Sequence, residues 1–188
     1  MSSCTTFAAA IAVLACAACS PGPRTHSGLD GKRDRRGEAA PLVRGPLGSE
    51  FHLAAETLAG ERVEIGGPGP VRLVEVWATW CEPCALAAAR ARPVLARHPR
   101  VVAYAVALDV DRETVSRYVA MTPPPGTPLV LLEGHAAAAR RGLDSVPTFI
   151  ALDARGRVTG AITGLSPGLG PALDRLLRHA EGAVGERE

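Results

Sequence analysis

The sequence predicts an α/β protein, a central mixed β-sheet flanked by helices, with an N-terminal β-hairpin extension ahead of it. Three observations carry this. The apolar run Val71-Arg72-Leu73-Val74-Glu75-Val76-Trp77 reads as a strand and feeds an alanine-rich helical stretch that begins near Glu82. Val101 to Leu108 is unbroken and apolar with β-branched residues, the mark of a central strand buried on both faces. Thr148 to Asp153 and Val158 to Thr163 are two strands joined by a hairpin turn at Ala154-Arg155-Gly156, and a last amphipathic helix follows them. Strand, helix and strand, then a hairpin and a helix, give layers around one mixed sheet.

The remaining elements fall between these. Phe51-His52-Leu53 and Arg62-Val63-Glu64-Ile65 alternate around Leu58-Ala59-Gly60-Glu61 and form the N-terminal hairpin. The helix from Glu82 should kink at Pro93 before ending near His98-Pro99. Asp109 to Asp111 starts a second helix, with Val115, Tyr118 and Val119 on its inner face. Thr122-Pro123-Pro124-Pro125-Gly126 is a loop, Pro128 to Leu132 a strand, and His135 to Arg141 a short helix. Leu169, Leu173, Leu176 and Leu177 line one side of the closing helix, which ends near Glu181.

The chain has 188 residues, 47% of them apolar, enough for one domain with a buried core plus tails. Its net charge of +2 is nearly balanced, and with 4% aromatic residues and no basic stripe it offers no case for nucleic-acid binding. The five cysteines fall in two groups, Cys4, Cys16 and Cys19 near the start and Cys81 with Cys84 in the body. Phe7 to Ala18 is a continuous apolar run, too short to span a membrane and suited to a signal-peptide core. It ends in Val13-Leu14-Ala15-Cys16 and Cys16-Ala17-Ala18-Cys19, both similar to the lipobox of bacterial lipoproteins, so Cys16 or Cys19 is the expected lipidation site. Residues 1–19 are thus read as an export signal and lipobox, and residues 20–48, rich in Gly, Pro and charge, as a flexible linker. Residues 49–182 form the folded domain and residues 183–188 a tail. The expected location is the periplasmic side of a bacterial membrane, lipid-anchored or as a soluble exported form.

Chemistry centres on Trp80-Cys81-Glu82-Pro83-Cys84. Two thiols one turn apart at a helix start can close a disulfide or exchange one with a substrate. Cys81 sits where unpaired amides and the helix dipole favour an anion, so it is the expected nucleophile. Cys84, one turn further in, would resolve the mixed disulfide. Pro83 suits the first turn, where a missing N–H costs little. Glu82 places a carboxylate beside the nucleophile and opposes thiolate formation, which favours a reductant with a potential on the order of −270 mV. Trp77 is a core candidate, and Trp80 is expected to shield the sulfur and touch substrate.

Other readings of the pair are weaker. Half of a zinc site would need two more ligands, and His52, His98, His135 and His179 are scattered singly. A copper carrier would need one more residue between the cysteines and a distal histidine, for which His135 is the candidate. A peroxidase motif has other spacing than Ala78-Thr79-Trp80-Cys81. Two further alternatives stand: a disulfide-forming oxidase, and a peptide-binding or chaperone module in which redox chemistry is secondary. No metal is expected, and the Cys81-Cys84 disulfide is the only redox group the chemistry needs.

Four motifs in order resemble the membrane-anchored or periplasmic thioredoxin-fold proteins of the TlpA and ResA type, over about residues 49–182. They are Phe51-x-Leu53 with Gly60-x-x-Val63, then Trp77-Ala78-Thr79-Trp80-Cys81-Glu82-Pro83-Cys84, then Val146-Pro147-Thr148-Phe149, and Asp153-x-x-Gly156-x-Val158 with Gly164 beyond. The chain departs from the family after Cys84, with Ala88 and Ala89 where members often carry Glu and Pro. The resemblance implies a thioredoxin fold in which Val146-Pro147 is a cis peptide opposite the disulfide, leaving the Val146 backbone to pair with an extended substrate. It also places Glu75 where the fold often holds a buried acid or amide; a desolvated carboxyl there would have a raised pKa and could take the proton from Cys84. The partners it implies are protein disulfides, among them the haem-binding cysteines of apocytochromes c, and a membrane thiol-reductant donor.

Overall fold

The computed structural model describes residues 47–131, 134–140 and 142–183. The signal segment, Cys16, Cys19, the linker up to residue 46 and the last five residues lie outside the described residues. The strands are β1 (His52–Thr57), β2 (Arg62–Gly66), β3 (Arg72–Trp77), β4 (Val102–Ala107), β5 (Thr127–Leu131), β6 (Thr148–Leu152) and β7 (Val158–Thr163). The helices are α1 (Glu82–Arg97), α2 (Arg112–Met121), α3 (Gly134–Arg140) and α4 (Leu169–Gly182).

One seven-stranded sheet runs in the order β2-β1-β5-β4-β3-β6-β7. β3 pairs parallel with β4, and β4 with β5, whereas β1 against β5, β3 against β6 and both hairpins are antiparallel. The sheet is therefore mixed, as the sequence predicts, and the N-terminal hairpin extends it past β5. Because β3 and β6 are antiparallel neighbours with Val76 opposite Thr148, the end of β3 and the start of β6 meet at one end of the sheet.

Side-chain alternation separates the two faces. Leu73, Phe149 and Ala151 pack with Ala87, Ala91 and Val94 of α1 and with Leu169, Leu173 and Leu177 of α4. Val74, Val76, Ile150 and Leu152 instead join Leu53, Ala55 and Ile65 of the hairpin, Val115 of α2 and Ala138 of α3. Every residue of β3 is buried because it sits between β4 and β6 with helices on the sheet. That includes Arg72, whose Nη1 donates to the Gly67 carbonyl at 3.1 Å; Val71, just before the strand, is half-buried.

β4 and the second helix differ from expectation. β4 is fully buried only over Ala105–Ala107, because Val102 and Ala103 border a groove of about 430 Å³ between the end of α1 and the start of β5. α1 is one helix through Pro93, and Arg97 Nη1 donates to the Pro93 carbonyl at 2.9 Å. The second helix begins after Asp111, whose carboxylate accepts from the Glu113 and Thr114 amides; Asp109 takes no part in that cap. The Thr114 hydroxyl, foremost, and the Glu113 amide hold the Asp111 carboxyl below its ordinary pKa.

At the far end of α1 the buried His98 ring joins two helices, with Nδ1 2.9 Å from Glu181 Oε2 and Nε2 3.2 Å from Asp174 Oδ1. The His98 contact, more than those of Arg97 and Arg178, holds the Asp174 carboxyl below the usual range. This contact fixes α4 against α1 at the end of the sheet remote from the cysteines. None of the described helices is long and apolar enough to cross a membrane.

Candidate active site

β3 delivers the chain at Trp77, and a short turn places Cys81 as the N-cap of α1 in an extended conformation (φ −88°, ψ 94°). The Cys81 amide donates to the Ala78 carbonyl, and the Cys84 amide to the Cys81 carbonyl, both at 3.1 Å. Cys81 and Cys84 are joined as a disulfide with their Cα atoms 5.4 Å apart. Cys81 is 5% exposed and Cys84 2%. Glu82 and Pro83, between them on the first turn, are both exposed, as the proline's place at the helix start allows. Trp77 is buried with its ring 5.2 Å from that of Tyr118, whereas Trp80 is 64% exposed beside the disulfide.

Glu75 is 4% exposed, and its neighbours in register, Ala105 and Phe149, are fully buried. The period of two along β3 sets it on the side of Leu73, beneath α1. Burial pushes its carboxyl up to about pKa 8, and Oε2 has no hydrogen-bond partner. Glu75 and Cys84 line the same cavity of about 10 Å³, together with Trp77, Ala85, Ala88, Tyr118, Thr122 and Pro124. A space of that size is at the threshold for one water molecule. Glu75 therefore does not reach solvent at the sheet end.

The Val146-Pro147 peptide is cis. The loop around it is tied down by the Thr148 hydroxyl, which donates to the Ser145 carbonyl at 2.6 Å, and by the Gly164 amide, which donates to the Pro147 carbonyl at 2.8 Å. Among the described residues nothing pairs with the amide or carbonyl of Val146 itself. Val146 is half-buried against the core cluster that contains both cysteines. The structure thus gathers Glu75, Trp80, Cys81, Glu82, Pro83, Cys84, Val146 and Pro147 at one end of the sheet. The 430 Å³ groove, at the starts of β4 and β5, lies at the opposite end. Among the described residues no group of three or more His, Cys, Asp and Glu side chains could hold a metal ion, and the side chain of His135 is not among them.

Sequence reasoning missed one part of this end. The Asp109 carboxylate accepts from the Thr79 amide at 2.9 Å and from the Thr79 hydroxyl at 2.6 Å, stapling the turn before the cysteines to the loop after β4. The Leu108 amide donates to the Trp77 carbonyl at 2.8 Å and extends the same join. Asp109→Ala should destabilise the domain by roughly 2 kcal/mol, since it strips a half-buried amide and hydroxyl of a charged acceptor. Asp109→Asn, which can still accept from the amide, should recover most of that. Denaturant unfolding and hydrogen exchange at the Thr79 amide check this; equal losses in both variants would mean that charge, not the hydrogen bonds, carries the effect.

A mixed sheet with a Cys-x-x-Cys disulfide at the helix following a central strand and a cis-proline at the start of the adjacent antiparallel strand defines a thioredoxin-fold protein. Solved structures agree. A protein assigned as the thiol:disulfide interchange protein DsbE from Chlorobium tepidum superposes with a TM-score of 0.63 at 22% identity, over 72% of this chain and 97% of that one. A secreted disulfide oxidoreductase of Mycobacterium tuberculosis, homologous to E. coli DsbE, gives 0.53 at 20% identity, covering 66% and 93%. A thiol-disulfide oxidoreductase from Bacteroides fragilis gives 0.56 at 19%, covering 70% and 99%. No family model matches the chain, and no curated protein matches its sequence.

Proposed function

We propose that the protein is an exported thiol-disulfide oxidoreductase that reduces protein disulfides. The observation that carries this reading is the Cys81-Cys84 disulfide at the N-terminus of α1, at the same sheet end as the unpaired Val146 backbone. The similar solved structures, three of them described as thiol-disulfide enzymes, support it. In the reduced protein, Cys81 as thiolate attacks one sulfur of the substrate disulfide; a Cys81–substrate bond forms and the other substrate sulfur leaves as a thiolate. Glu75, as carboxylate, takes the proton of Cys84 directly or through one water in the shared cavity. The Cys84 thiolate then attacks Cys81 Sγ, the second substrate sulfur leaves, and the protein holds the disulfide. Two electrons have passed to the substrate, and a thiol donor must restore them.

Val146 offers its backbone to an extended substrate chain and Trp80 its exposed ring, with Glu82 and Pro83 on the adjoining first turn. The redox group is the cysteine pair, without a further cofactor. Lipid attachment at Cys16 or Cys19 would hold the domain on the periplasmic side of the membrane, where a membrane thiol carrier can re-reduce it and apocytochrome c cysteines are one class of substrate. Equilibration of the pair against glutathione tests the direction of flow. A potential on the order of −270 mV is expected; one near −120 mV would make the protein an oxidant.

A further inference from the structure

Two buried side-chain atoms among the described residues have no hydrogen-bond partner, Glu75 Oε2 and Trp77 Nε1. Buried polar groups are ordinarily paired, so each calls for an explanation. They belong to one place. Glu75 and Trp77 stand two residues apart on β3 and therefore share a face of the sheet, and both line the cavity of about 10 Å³ that Cys84 lines from the first turn of α1. Since neither atom has a partner, the two do not bond to each other. The Cα atoms of such a pair lie roughly 6.6 Å apart, and two hydrogen bonds of about 2.9 Å end to end cover most of that distance. The indole is also braced, because the Trp77 ring packs 5.2 Å from that of Tyr118, which fixes where its N–H points.

We propose that Trp77 is a positioning residue for the resolving step: its indole N–H holds one water molecule in this cavity, oriented to carry the Cys84 proton to Glu75. This role rests on the oxidoreductase reading and deepens it, turning a proton route that could be direct into one that runs through a seated water. The occupant follows from the groups that meet there. An indole N–H can only donate, a carboxylate can only accept, and a thiol donates. Two donors and one acceptor are what a water molecule satisfies with two lone pairs and one O–H, whereas apolar cavities stay dry. In the mixed disulfide the Cys84 S–H gives its proton to the water oxygen as the water gives one of its own to Glu75 Oε2. Cys84 becomes a thiolate, Glu75 a neutral acid, and the water is regenerated. The indole takes no proton; by occupying one lone pair it turns an O–H toward the carboxylate. Besides Glu75 and Cys84, only Tyr118 among the lining residues can ionise, so no cation stands there to orient the water instead.

The test is Trp77→Phe, which removes the N–H and keeps a ring against Tyr118. Reduced protein is mixed with two peptides joined by one disulfide, and release of the first and second peptide thiols is followed separately against pH. In the variant the second step should slow about tenfold relative to the first, the scale of one hydrogen bond. Its pH midpoint should rise above about pH 8, because the carboxylate has lost a donor acting through the water. In a Glu75→Gln background the same substitution should change nothing further. An unchanged ratio and midpoint, equal slowing of both steps, or slowing that persists without Glu75 overturns the proposal. A second measurement does not need the variant to fold: in the native oxidised protein the Trp77 indole proton should show a nuclear Overhauser contact to a long-lived water, and its absence refutes the seat. If the native protein reduces neither the peptides nor oxidised glutathione, the oxidoreductase reading fails instead, and the water contact then decides on the seat alone.

Discussion

Cys84→Ser should stop turnover and leave the protein covalently joined to its substrate through Cys81. The serine hydroxyl cannot expel a thiolate from the mixed disulfide, so the first exchange proceeds and the second does not. Cys84 is 2% exposed, so an external thiol cannot readily take its place. Steady-state reduction of a protein disulfide should fall by roughly 10³-fold or more, since the two sulfurs act as a unit. Mass spectrometry under non-reducing conditions should show an adduct of protein plus substrate that a thiol reductant dissolves. Cys81→Ser should lose the same activity and form no adduct. If the two variants exchanged roles, with the adduct on Cys84, the placement of the nucleophile at the helix N-cap would be wrong.

What could be read from the sequence and what could not divide along a physical line. The strand that ends at Trp77, the helix start at Glu82 and both hairpins are written in local patterns, and the structure has them within a residue or two. The cis peptide at Val146-Pro147 was legible only through motif resemblance, because nothing local distinguishes it from a trans one. Asp109 shows the opposite case. Its bond to Thr79 spans 30 residues, and the segment Asp109-Val110-Asp111 offers two acids of which either could cap a helix. Asp111 takes the cap and frees Asp109 for the staple. Arg72 was illegible for a related reason, since its burial depends on the Gly67 carbonyl, which accepts from its guanidinium, rather than on its own strand. Residues defined by their neighbours in sequence were found; residues defined by neighbours in space were not.

Glu75→Gln should change stability and exchange in opposite directions across one pH window. Desolvation holds the Glu75 proton up to about pH 8 in the folded protein, against an ordinary pKa of 4.5. Between those values the unfolded chain has released the proton and the folded one has not, so the folded state binds more protons and stability falls as pH rises. At 1.36 kcal/mol per unit over roughly 3.5 units the loss approaches about 5 kcal/mol, present in full below pH 4.5 and gone above about pH 8. Glutamine cannot ionise, so the variant should lack this slope and should be the more stable form at pH 8. Denaturant unfolding of the oxidised proteins isolates the effect, since the paired cysteines do not titrate. Exchange runs the other way: only the ionised carboxyl accepts the Cys84 proton, so the native rate should rise through about pH 8, and the variant should resolve its mixed disulfide on the order of 10²-fold more slowly. Identical stability slopes would mean that Glu75 ionises freely in the fold, whereas a lost slope with an unchanged rate would leave it a buried acid outside the proton path. A carboxyl that destabilises the fold by holding its proton is useful only where that proton is exchanged, and among the residues lining its cavity Cys84 is the one that must give a proton up.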